Sequence, residues 1–521
     1  MAFTFAWSYL LLCAYFTLST EMTSNEERFE AIVMNAAYNT ELQPDLNALK
    51  EGEDYCAFNV STISKSSPPK PKTTDSTDTG LKFGVEGFTK LPWSTDNVVE
   101  NQKCYAVIEK ALEDLASNGA KSVEDVINTI KQYASWVPSF DGLRDYVESK
   151  NATEQQKVLE TMTGIAKLAV KAKSLITEPL PLLLAKHTGS VTLSQEQCAC
   201  LLANGFFCTF PKEASTFNKI NFAGIFQSAN HLSHVRLQFL LHYFSLVLEK
   251  MPTGCVTFSR AVLKEDAIPK WEEEKSQLHS LAVQSEVPIE DVVALAQVDF
   301  ANETIGGLVL STPIDQIGKE EIRFLISPEL IVSCLLCEKM GPLEAIHIVG
   351  TQRYSGYSGY GSTVEWQPYD GYDCEERDSF RRVFSDVIAI DALSFSDSSH
   401  QYERENIDRE LKKAYAGFMS EKSDARPIAT GGWGCGVLRG DKELKSLIQI
   451  VAAAKAGRDM VYCAFHDKQF EDSLLDVYNM LVQRNVTIRG LYKALISYAQ
   501  SLKQQEDLSV FKHISLEFQA Q

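Results

Sequence analysis

The sequence predicts an α/β sandwich with a mixed, mainly parallel sheet, preceded by an all-helical accessory region. Before about residue 250, apolar residues recur at the spacing of one helix face. After it, short apolar runs rich in β-branched residues alternate with helical stretches. Such runs are typical of strands that are buried on both faces, as the strands of a parallel sheet are.

The amino-terminal part predicts little folded structure. Residues 1–20 form an apolar segment without a charged side chain, which resembles a secretory signal peptide but lacks a basic start. Residues 21–80 end in a stretch rich in Ser, Thr, Pro and Lys with almost nothing to bury. We expect this region to be poorly ordered and to serve as a linker.

Residues 81–250 are expected to form the helical accessory domain. Apolar residues from Val123 to Tyr133 recur on one helix face, and Ser122 is a plausible N-cap for that helix. Ser194 and Gln197 have the spacing of a capping box in front of a mostly apolar helix.

Residues 251–505 are expected to form the α/β domain, with 506–521 as a carboxyl-terminal tail. The predicted strands are ALAQVDF (294–300), EAIHIVGT (344–351), DVIAIDAL (386–393), RPIATG (426–431) and MVYCAF (460–465). In such sheets ligands bind at the carboxyl ends of the strands, so the loops that follow these runs are the candidate sites.

Charge and composition limit the kinds of ligand. The chain of 521 residues has 50 basic and 69 acidic residues, a net charge of -19, which opposes adhesion to nucleic acid or anionic lipid. A polyanionic ligand would need a local pocket of backbone N–H groups. The twelve cysteines and nine histidines show no metal-ligand spacing, so we expect buried free thiols and no metal.

Two glycine-rich segments follow predicted strands. Gly306 and Gly307 precede the adjacent carboxylates Glu320 and Glu321, although a glycine pair is often only a turn and acids are common at helix N-termini. The turn 432–437 contains three glycines before a helix, which suits a diphosphate or simply a tight connection.

A third segment is rich in tyrosine. Tyr354, Tyr357 and Tyr360 lie among small residues after a predicted strand, where an aromatic face could stack on a base. Exposed tyrosines in a flexible loop would have the same pattern. Three ligand-like loops at strand ends together favour a binding cleft.

Several of these motifs, in this order, resemble poly(ADP-ribose) glycohydrolase. They are VDFAN, the glycine pair, EEIRFLISPEL, YSGYSGYG, AIDAL, GWGCG and VYCAF. The resemblance runs from about Leu91 to about residue 500, and CACLLANGFFCTFP (198–211) is similar to the family's accessory region. It implies a macrodomain-like α/β/α sandwich.

The resemblance implies hydrolysis of the ribose–ribose O-glycosidic bonds of poly(ADP-ribose), with Glu321 as general acid. It assigns orientation of the ribose hydroxyls to Glu320 and support of the site to Asp299. The residues that it assigns to substrate binding are Ile289 and Glu290 on adenine, Asn302 on ribose, Gly306, Gly307, Lys319, Tyr360 stacked on adenine, the diphosphate turn Gly432, Trp433, Gly434, Cys435, Gly436 and Val437, and Phe465 as a wall.

Four residues depart from the family pattern. Leu308 stands for a glycine, Lys319 for a glutamine, Gly432 for an asparagine and Leu438 for a phenylalanine. A cation at Lys319 would favour the ionised form of the neighbouring acids, opposite to what a general acid needs, or would pair with the diphosphate. The alternative function is therefore a macrodomain that binds ADP-ribose or poly(ADP-ribose) with weakened or no catalysis.

The resemblance implies no cofactor and no metal. The expected partner is poly(ADP-ribose) on modified proteins, in the DNA damage response, with no direct nucleic-acid binding and no stable membrane association. We expect a monomer in the nucleus, the cytoplasm or both, or a secreted protein if residues 1–20 act as a signal peptide.

Overall fold

The structure is a computed structural model, and most of the chain beyond residue 23 is described. The described residues are 24–37, 46, 48–72, 87–94, 98–99, 102–103, 105–211, 220–311, 316–371, 376–420, 426–505 and 507–519. The apolar segment 1–20 lies outside them, so its prediction as a signal peptide stays a prediction.

Strands and helices alternate through the second half of the chain. The strands are β1 Asp54–Cys56, β2 Val98–Val99, β3 Gln102–Lys103, β4 Gly189–Ser194, β5 Cys255–Val262, β6 Leu281–Gln284, β7 Ala296–Ala301, β8 Glu344–Val349, β9 Gly356–Ser358, β10 Glu365–Gln367, β11 Asp386–Asp391, β12 Ile428–Gly431 and β13 Met460–Cys463. The α-helices are α1 Asn25–Ala37, α2 Tyr105–Asn118, α3 Val123–Lys131, α4 Asp141–Glu148, α5 Ala152–Leu175, α6 Gln195–Phe206, α7 Ala223–Gln227, α8 His231–Glu249, α9 Lys319–Ile326, α10 Ser333–Leu336, α11 Arg404–Phe418, α12 Lys442–Lys455, α13 Lys468–Gln483, α14 Ile488–Gln504 and α15 Val510–Gln519. The 3-10 helices include Ile289–Asp291 and Pro328–Val332.

Nine strands form one sheet in the order β1-β4-β5-β8-β11-β7-β12-β13-β6. Strands β11, β7, β12, β13 and β6 are parallel to their neighbours in that run, whereas β8 is antiparallel to β5 and β11. The sheet is therefore mixed and mainly parallel, as predicted. All five predicted strands are confirmed, and β7, β12 and β13 end at the same edge.

Helices cover both faces of the sheet. One core joins the helices before residue 250 to one face, and it includes the fully buried side chains Phe206 and Phe244. The second core lies under α11–α15 and includes Leu447 and Leu495. These three layers confirm the α/β/α sandwich. In the described ranges, no helix combines the length and the apolar character that a membrane span requires.

The predicted helix starts are confirmed. The side chain of Ser122 caps α3 and that of Ser194 caps α6, each in a capping box. Helix α9 ends at Ile326, because Pro328 cannot continue the hydrogen-bond ladder, and a 3-10 helix and α10 follow it as far as Leu336.

Several elements differ from the expectation. Strands β2, β3 and β4 lie within the region expected to be all-helical, and α1 and β1 lie within the region expected to be poorly ordered. Tertiary pairing orders them: β1 is parallel to β4, and the Asn25 side chain donates to the Val283 carbonyl at 2.7 Å. Helix α15 likewise lies in the expected tail. The domain boundaries at residues 250 and 505 stay predictions.

Candidate active site

The loop between β7 and α9 folds around the carboxylate of Glu320. The backbone N–H of Asn302 donates to Glu320 Oε2 at 2.9 Å, and that of Gly306 donates to Oε1 at 2.6 Å. Only 6% of Glu320 is exposed. The carboxylate at the start of α9 is thus held by the loop that follows strand β7.

Glu321 is held by the same loop. The backbone N–H of Leu308 donates to Glu321 Oε1 at 2.9 Å. Gly307 has φ +50°, and a Cβ there would lie 2.5 Å from Glu321 Oε1 and 2.6 Å from Glu320 Oε2. Gly318 is equally tight, with its Cβ position 2.6 Å from Glu321 Oε2. The glycines therefore leave the space that both carboxylates occupy.

Asp299, on β7, joins these glutamates in what we call the acid cluster: Asp299, Glu320 and Glu321. Asp299 is 3% exposed, and neither of its carboxylate oxygens has a hydrogen-bond partner within the described residues. Burial raises the pKa of Asp299 to about 7, with Arg323 opposing the shift and Glu321 adding to it. Burial, Asp299 and Glu321 also raise the pKa of Glu320 well above its usual range. Asp299 and Glu320 therefore favour their protonated forms near neutral pH.

Lys319, the first residue of α9, does not pair with the two glutamates that follow it in the chain. Its ammonium lies 3.2 and 3.1 Å from the carboxylate oxygens of Glu290 and donates to the Tyr357 hydroxyl at 3.0 Å. The Tyr357 hydroxyl donates to Glu290, and the Phe465 ring centroid lies 5.7 Å from the ammonium. We call Lys319, Glu290, Tyr357 and Phe465 the lysine box.

The lysine box changes one expectation from the sequence. Lys319 was expected either to favour ionisation of the adjacent acids or to pair with a diphosphate. In the structure its ion pair is with Glu290, whose side chain is 3% exposed, and the Lys319 ammonium holds the pKa of Glu290 below its usual range against the effect of burial. Pairing of Lys319 with a diphosphate stays a prediction. The pKa of Glu320 remains raised.

A small cavity of about 10 Å³ separates the acid cluster from the lysine box. Its walls include Ile289, Gln297, Asp299 and Arg323. The Arg323 guanidinium donates to Gln297 Oε1 at 2.8 Å. Lys319 and Arg323 are four residues apart on α9, so both cations face this cavity from one side of the helix.

The tyrosine segment is only partly a surface loop. Tyr354 is fully buried and its hydroxyl donates to Glu329 at 2.5 Å, so it cannot stack on a ligand. Tyr360 is 43% exposed and contacts the exposed Phe465 edge to face, with ring centroids 5.8 Å apart. Phe465 has φ +49°, unusual for a residue with a side chain. These two rings form an exposed apolar wall beside the lysine box.

The turn 432–437 follows β12 at the edge where β7 also ends. Trp433 is fully buried and donates to the Ile390 carbonyl at 3.0 Å, so only its backbone is available to a ligand. Gly434 has φ +75°, and a Cβ there would lie 3.2 Å from the ammonium of Lys445. Lys445 is buried, forms an ion pair with Glu410 and lies 4.2 Å from the Trp433 ring centroid. Half-exposed Cys435 and exposed Gly436 and Val437 complete the turn.

The structure thus brings together most residues that the sequence singled out. Direct contacts join the backbone of Asn302 and the glycine pair to the acid cluster, and Lys319 to Glu290 and Phe465. Sequence reasoning missed Tyr357 as a lysine partner, Arg323, Gly318 and Lys445. The four-residue spacing of Lys319 and Arg323 was the available signal for Arg323. In the part of the chain that is described, no three His, Cys, Asp or Glu side chains could together hold a metal ion.

Comparisons with known proteins agree with this geometry. The chain matches the family model for poly(ADP-ribose) glycohydrolase with the macro domain fold over residues 268–472, and the model for the helical domain of these enzymes over 150–260. It is 36% identical over 384 residues to poly(ADP-ribose) glycohydrolase 1 of Caenorhabditis elegans, which covers 71% of the chain and 48% of that protein. It is 34% identical over 377 residues to probable poly(ADP-ribose) glycohydrolase 2 of Arabidopsis thaliana, covering 61% and 71%. The chain spans about half the length of the first of these relatives.

Proposed function

The chain belongs to the poly(ADP-ribose) glycohydrolase family, and we propose that it hydrolyses ribose–ribose O-glycosidic bonds of poly(ADP-ribose) to release ADP-ribose. The observation that carries the proposal is the acid cluster in its loop. Three carboxyl groups from one strand and one helix start are held at the carboxyl edge of the sheet. Glycosidases commonly use carboxyl groups in this way.

Glu321 is the proposed general acid. A general acid must carry a proton near neutral pH, and the adjoining carboxyl groups of Asp299 and Glu320, whose pKa values are raised, make this a site where protons are available. The Leu308 N–H binds only one oxygen of Glu321, Oε1. Glu321 gives its proton to the leaving 2′-oxygen of the neighbouring ribose as the glycosidic bond breaks, and water then adds to the oxocarbenium-like anomeric carbon.

Glu320 and Asp299 have supporting roles in this proposal. Glu320 accepts from the ribose hydroxyls while the N–H groups of Asn302 and Gly306 fix its carboxylate. Asp299 is buried in the same cluster without a hydrogen-bond partner among the described residues. Its raised pKa therefore keeps a proton in the cluster near neutral pH. The turn 432–437 binds the diphosphate, and Tyr360 with Phe465 stacks on the adenine.

The test measures release of ADP-ribose from labelled poly(ADP-ribose) by the parent protein and by Glu321→Gln. We expect the substitution to lower the rate by ~10² to 10⁴, the usual contribution of a general acid, with little change in ligand affinity. Glu303→Gln is the matched control, because Glu303 lies in the same loop but is half exposed and paired with Lys339 at 2.5 Å. Equal release by parent and Glu321→Gln would contradict the assignment.

A binding module with weakened catalysis is the second candidate, favoured by Leu308. The family has glycine there, and this leucine is 53% exposed beside the acid cluster. The same assay decides: poly(ADP-ribose) binding without release by the parent protein selects the binding module. Binding with release rejects it.

The protein is further proposed to act as a monomer in the nucleus or cytoplasm, on poly(ADP-ribose) attached to modified proteins in the DNA damage response. Its net charge of -19 supports the absence of direct nucleic-acid binding. Light scattering tests the oligomeric state, and amino-terminal sequencing of the expressed protein shows whether residues 1–20 are removed for secretion.

A further inference from the structure

The lysine box places a full positive charge beside a group of acids that have to retain protons. Lys319 precedes Glu320 and Glu321 in the chain, and the Lys319 ammonium also favours the ionised form of Asp299. An unpaired ammonium at this point would draw protons off the acid cluster. The neighbours of Lys319 therefore matter for the chemistry of the acids.

The ammonium is enclosed by groups that match it. Glu290 supplies a nearly buried carboxylate at 3.1 Å, and Tyr357 links the two by accepting from Lys319 and donating to Glu290. The rings of Tyr357 and Phe465 lie 5.5 and 5.7 Å from the ammonium. Lys319 itself is 20% exposed, so solvent screens the pair weakly. The charges of Lys319 and Glu290 cancel within a few ångströms.

We propose that Glu290 and Tyr357 are positioning residues that hold the Lys319 ammonium as half of a neutral pair. The pairing weakens the effect of this lysine on the ionisation of the catalytic acids beside it. This role rests on the proposed function, and it is separate from any contact that Glu290 makes with substrate.

Other charges around the acid cluster are accounted for by fixed partners. Arg323, on α9, faces Asp299 and donates to Gln297. Arg236, on the neighbouring helix α8, faces Glu321 and donates to the Ser311 carbonyl at 2.8 Å. Further charged or titratable groups that face the cluster or the lysine box are Cys334 beside Glu320, Tyr360 beside Lys319 and Glu321, Cys463 beside Glu290 and Lys319, and Asp291 and Arg353 beside Tyr357. The substitutions proposed next leave all of these unchanged.

Neutralising one member of the pair leaves a unit charge of known sign. Glu290→Gln leaves the ammonium, which favours ionised carboxylates and moves the alkaline fall of activity to lower pH. Lys319→Gln leaves the Glu290 carboxylate, whose ionised form the Tyr357 hydroxyl and Arg323 still favour, and moves the alkaline fall of activity to higher pH. A unit charge ~10 Å away at an effective dielectric constant of ~20 corresponds to a shift of about one pH unit. The double variant restores neutrality and returns the profile to that of the parent.

The experiment measures two quantities on the parent, both single variants and the double variant. The first is the pH dependence of ADP-ribose release. The second is the titration of the Asp299 carboxyl by ¹³C NMR with labelled aspartate, in which Asp299→Asn identifies the signal. The NMR titration needs no activity, so it tests the pair even if the parent releases no ADP-ribose and the proposed function fails.

We expect opposite shifts in the two single variants and recovery in the double variant, in both measurements. A purely structural pair would lower stability in each single variant without shifts of opposite sign. Lys455→Gln is the matched control. Lys455 is the last residue of α12 and also pairs with a glutamate, Glu274. Coincident titrations in all four proteins, or shifts of the same sign in both single variants, overturn the proposal. If the parent releases ADP-ribose but the titrations of the four proteins coincide, the proposal on the neutral pair is overturned and the proposed function is retained.

Discussion

Two glycine-containing segments follow neighbouring parallel strands, and they contact different kinds of charged side chain. In the loop after β7, backbone N–H groups of Asn302, Gly306 and Leu308 donate to carboxylates of the protein itself. The turn after β12 lies instead over the buried ammonium of Lys445. The N–H groups of the first loop are occupied by the protein's own carboxyl groups, whereas the second segment lies over a lysine that is paired with Glu410.

This difference fits the different roles proposed for the two segments. A loop whose N–H groups already donate to the protein's own carboxyl groups leaves fewer donors for a diphosphate but suits proton transfer. Burial lowers the pKa of Lys445 well below its usual range and Glu410 is already its partner, so this turn would bind an anion through backbone N–H groups. Glycine serves sterically in both, because a Cβ at Gly307 would meet carboxylate oxygens and a Cβ at Gly434 would meet Ala392 at 2.7 Å.

The largest expected effect concerns Lys445, which lies under the turn 432–437. Lys445→Met leaves Glu410 buried without this partner, and breaking a buried ion pair costs about 3 to 5 kcal/mol in the free energy of unfolding. Urea denaturation measures it. Lys442→Met, on the same helix but in a half-exposed pair with Asp467, is expected to cost less than about 1 kcal/mol. Equal losses in the two variants would mean that Lys445 does not support the turn.

The next effect concerns the loop after β7. Gly307→Ala forces a Cβ against both glutamates, so we expect ADP-ribose release to fall by about 100-fold, the effect of misplacing a catalytic group by ~1 Å. Gly119→Ala is the control, because Gly119 also has positive φ, +72°, but its Cβ would meet nothing within 4 Å. The control should lose about 1 kcal/mol of stability and keep its activity. Loss of activity in both variants would indicate backbone strain, and not contact with the glutamates, as the cause.

A smaller effect concerns the protons of the acid cluster. The pKa of Asp299 is about 7 in the folded protein and near 4 when unfolded, so between these pH values the folded state binds more protons. Stability attributable to Asp299 is therefore greatest below about pH 4 and falls as the pH rises to about 7. Asp299→Asn removes this dependence.

We expect Asp299→Asn to be more stable than the parent by about 1 to 2 kcal/mol at pH 8, since the buried amide retains part of the desolvation cost. The advantage should disappear near pH 4. Thermal unfolding at several pH values measures it, with the exposed Asp114→Asn as a control that changes little. A parent stability that rises between pH 4 and 7 relative to Asp299→Asn would contradict the sign.

The smallest effect concerns the leucine that departs from the family pattern. Leu308 contributes its N–H to Glu321, and a glycine supplies the same N–H, so Leu308→Gly should change kcat and KM by less than about threefold. Leu308→Pro removes the donor and should lower kcat far more. A large gain of activity in Leu308→Gly would show instead that the side chain obstructs the ligand.

Much of the fold was determined by local sequence. Runs of β-branched residues fixed the five central strands, because burial on both faces selects such residues whatever their neighbours are. Ser122 and Ser194 marked helix starts, because a cap acts within one turn. The motifs also indicated Glu320, Glu321 and the glycine pair, which are close in the chain.

Tertiary structure alone decided the rest. Strand β1 is three residues long and is ordered by β4, which follows it by more than a hundred residues. The same holds for Lys319, whose partner is Glu290, 29 positions earlier, and not the adjacent Glu320. Sequence places charges along the chain, but Coulomb interactions depend on distance and burial in space. The acids could therefore be identified from sequence, whereas their protonation could be judged only once the fold had paired Lys319.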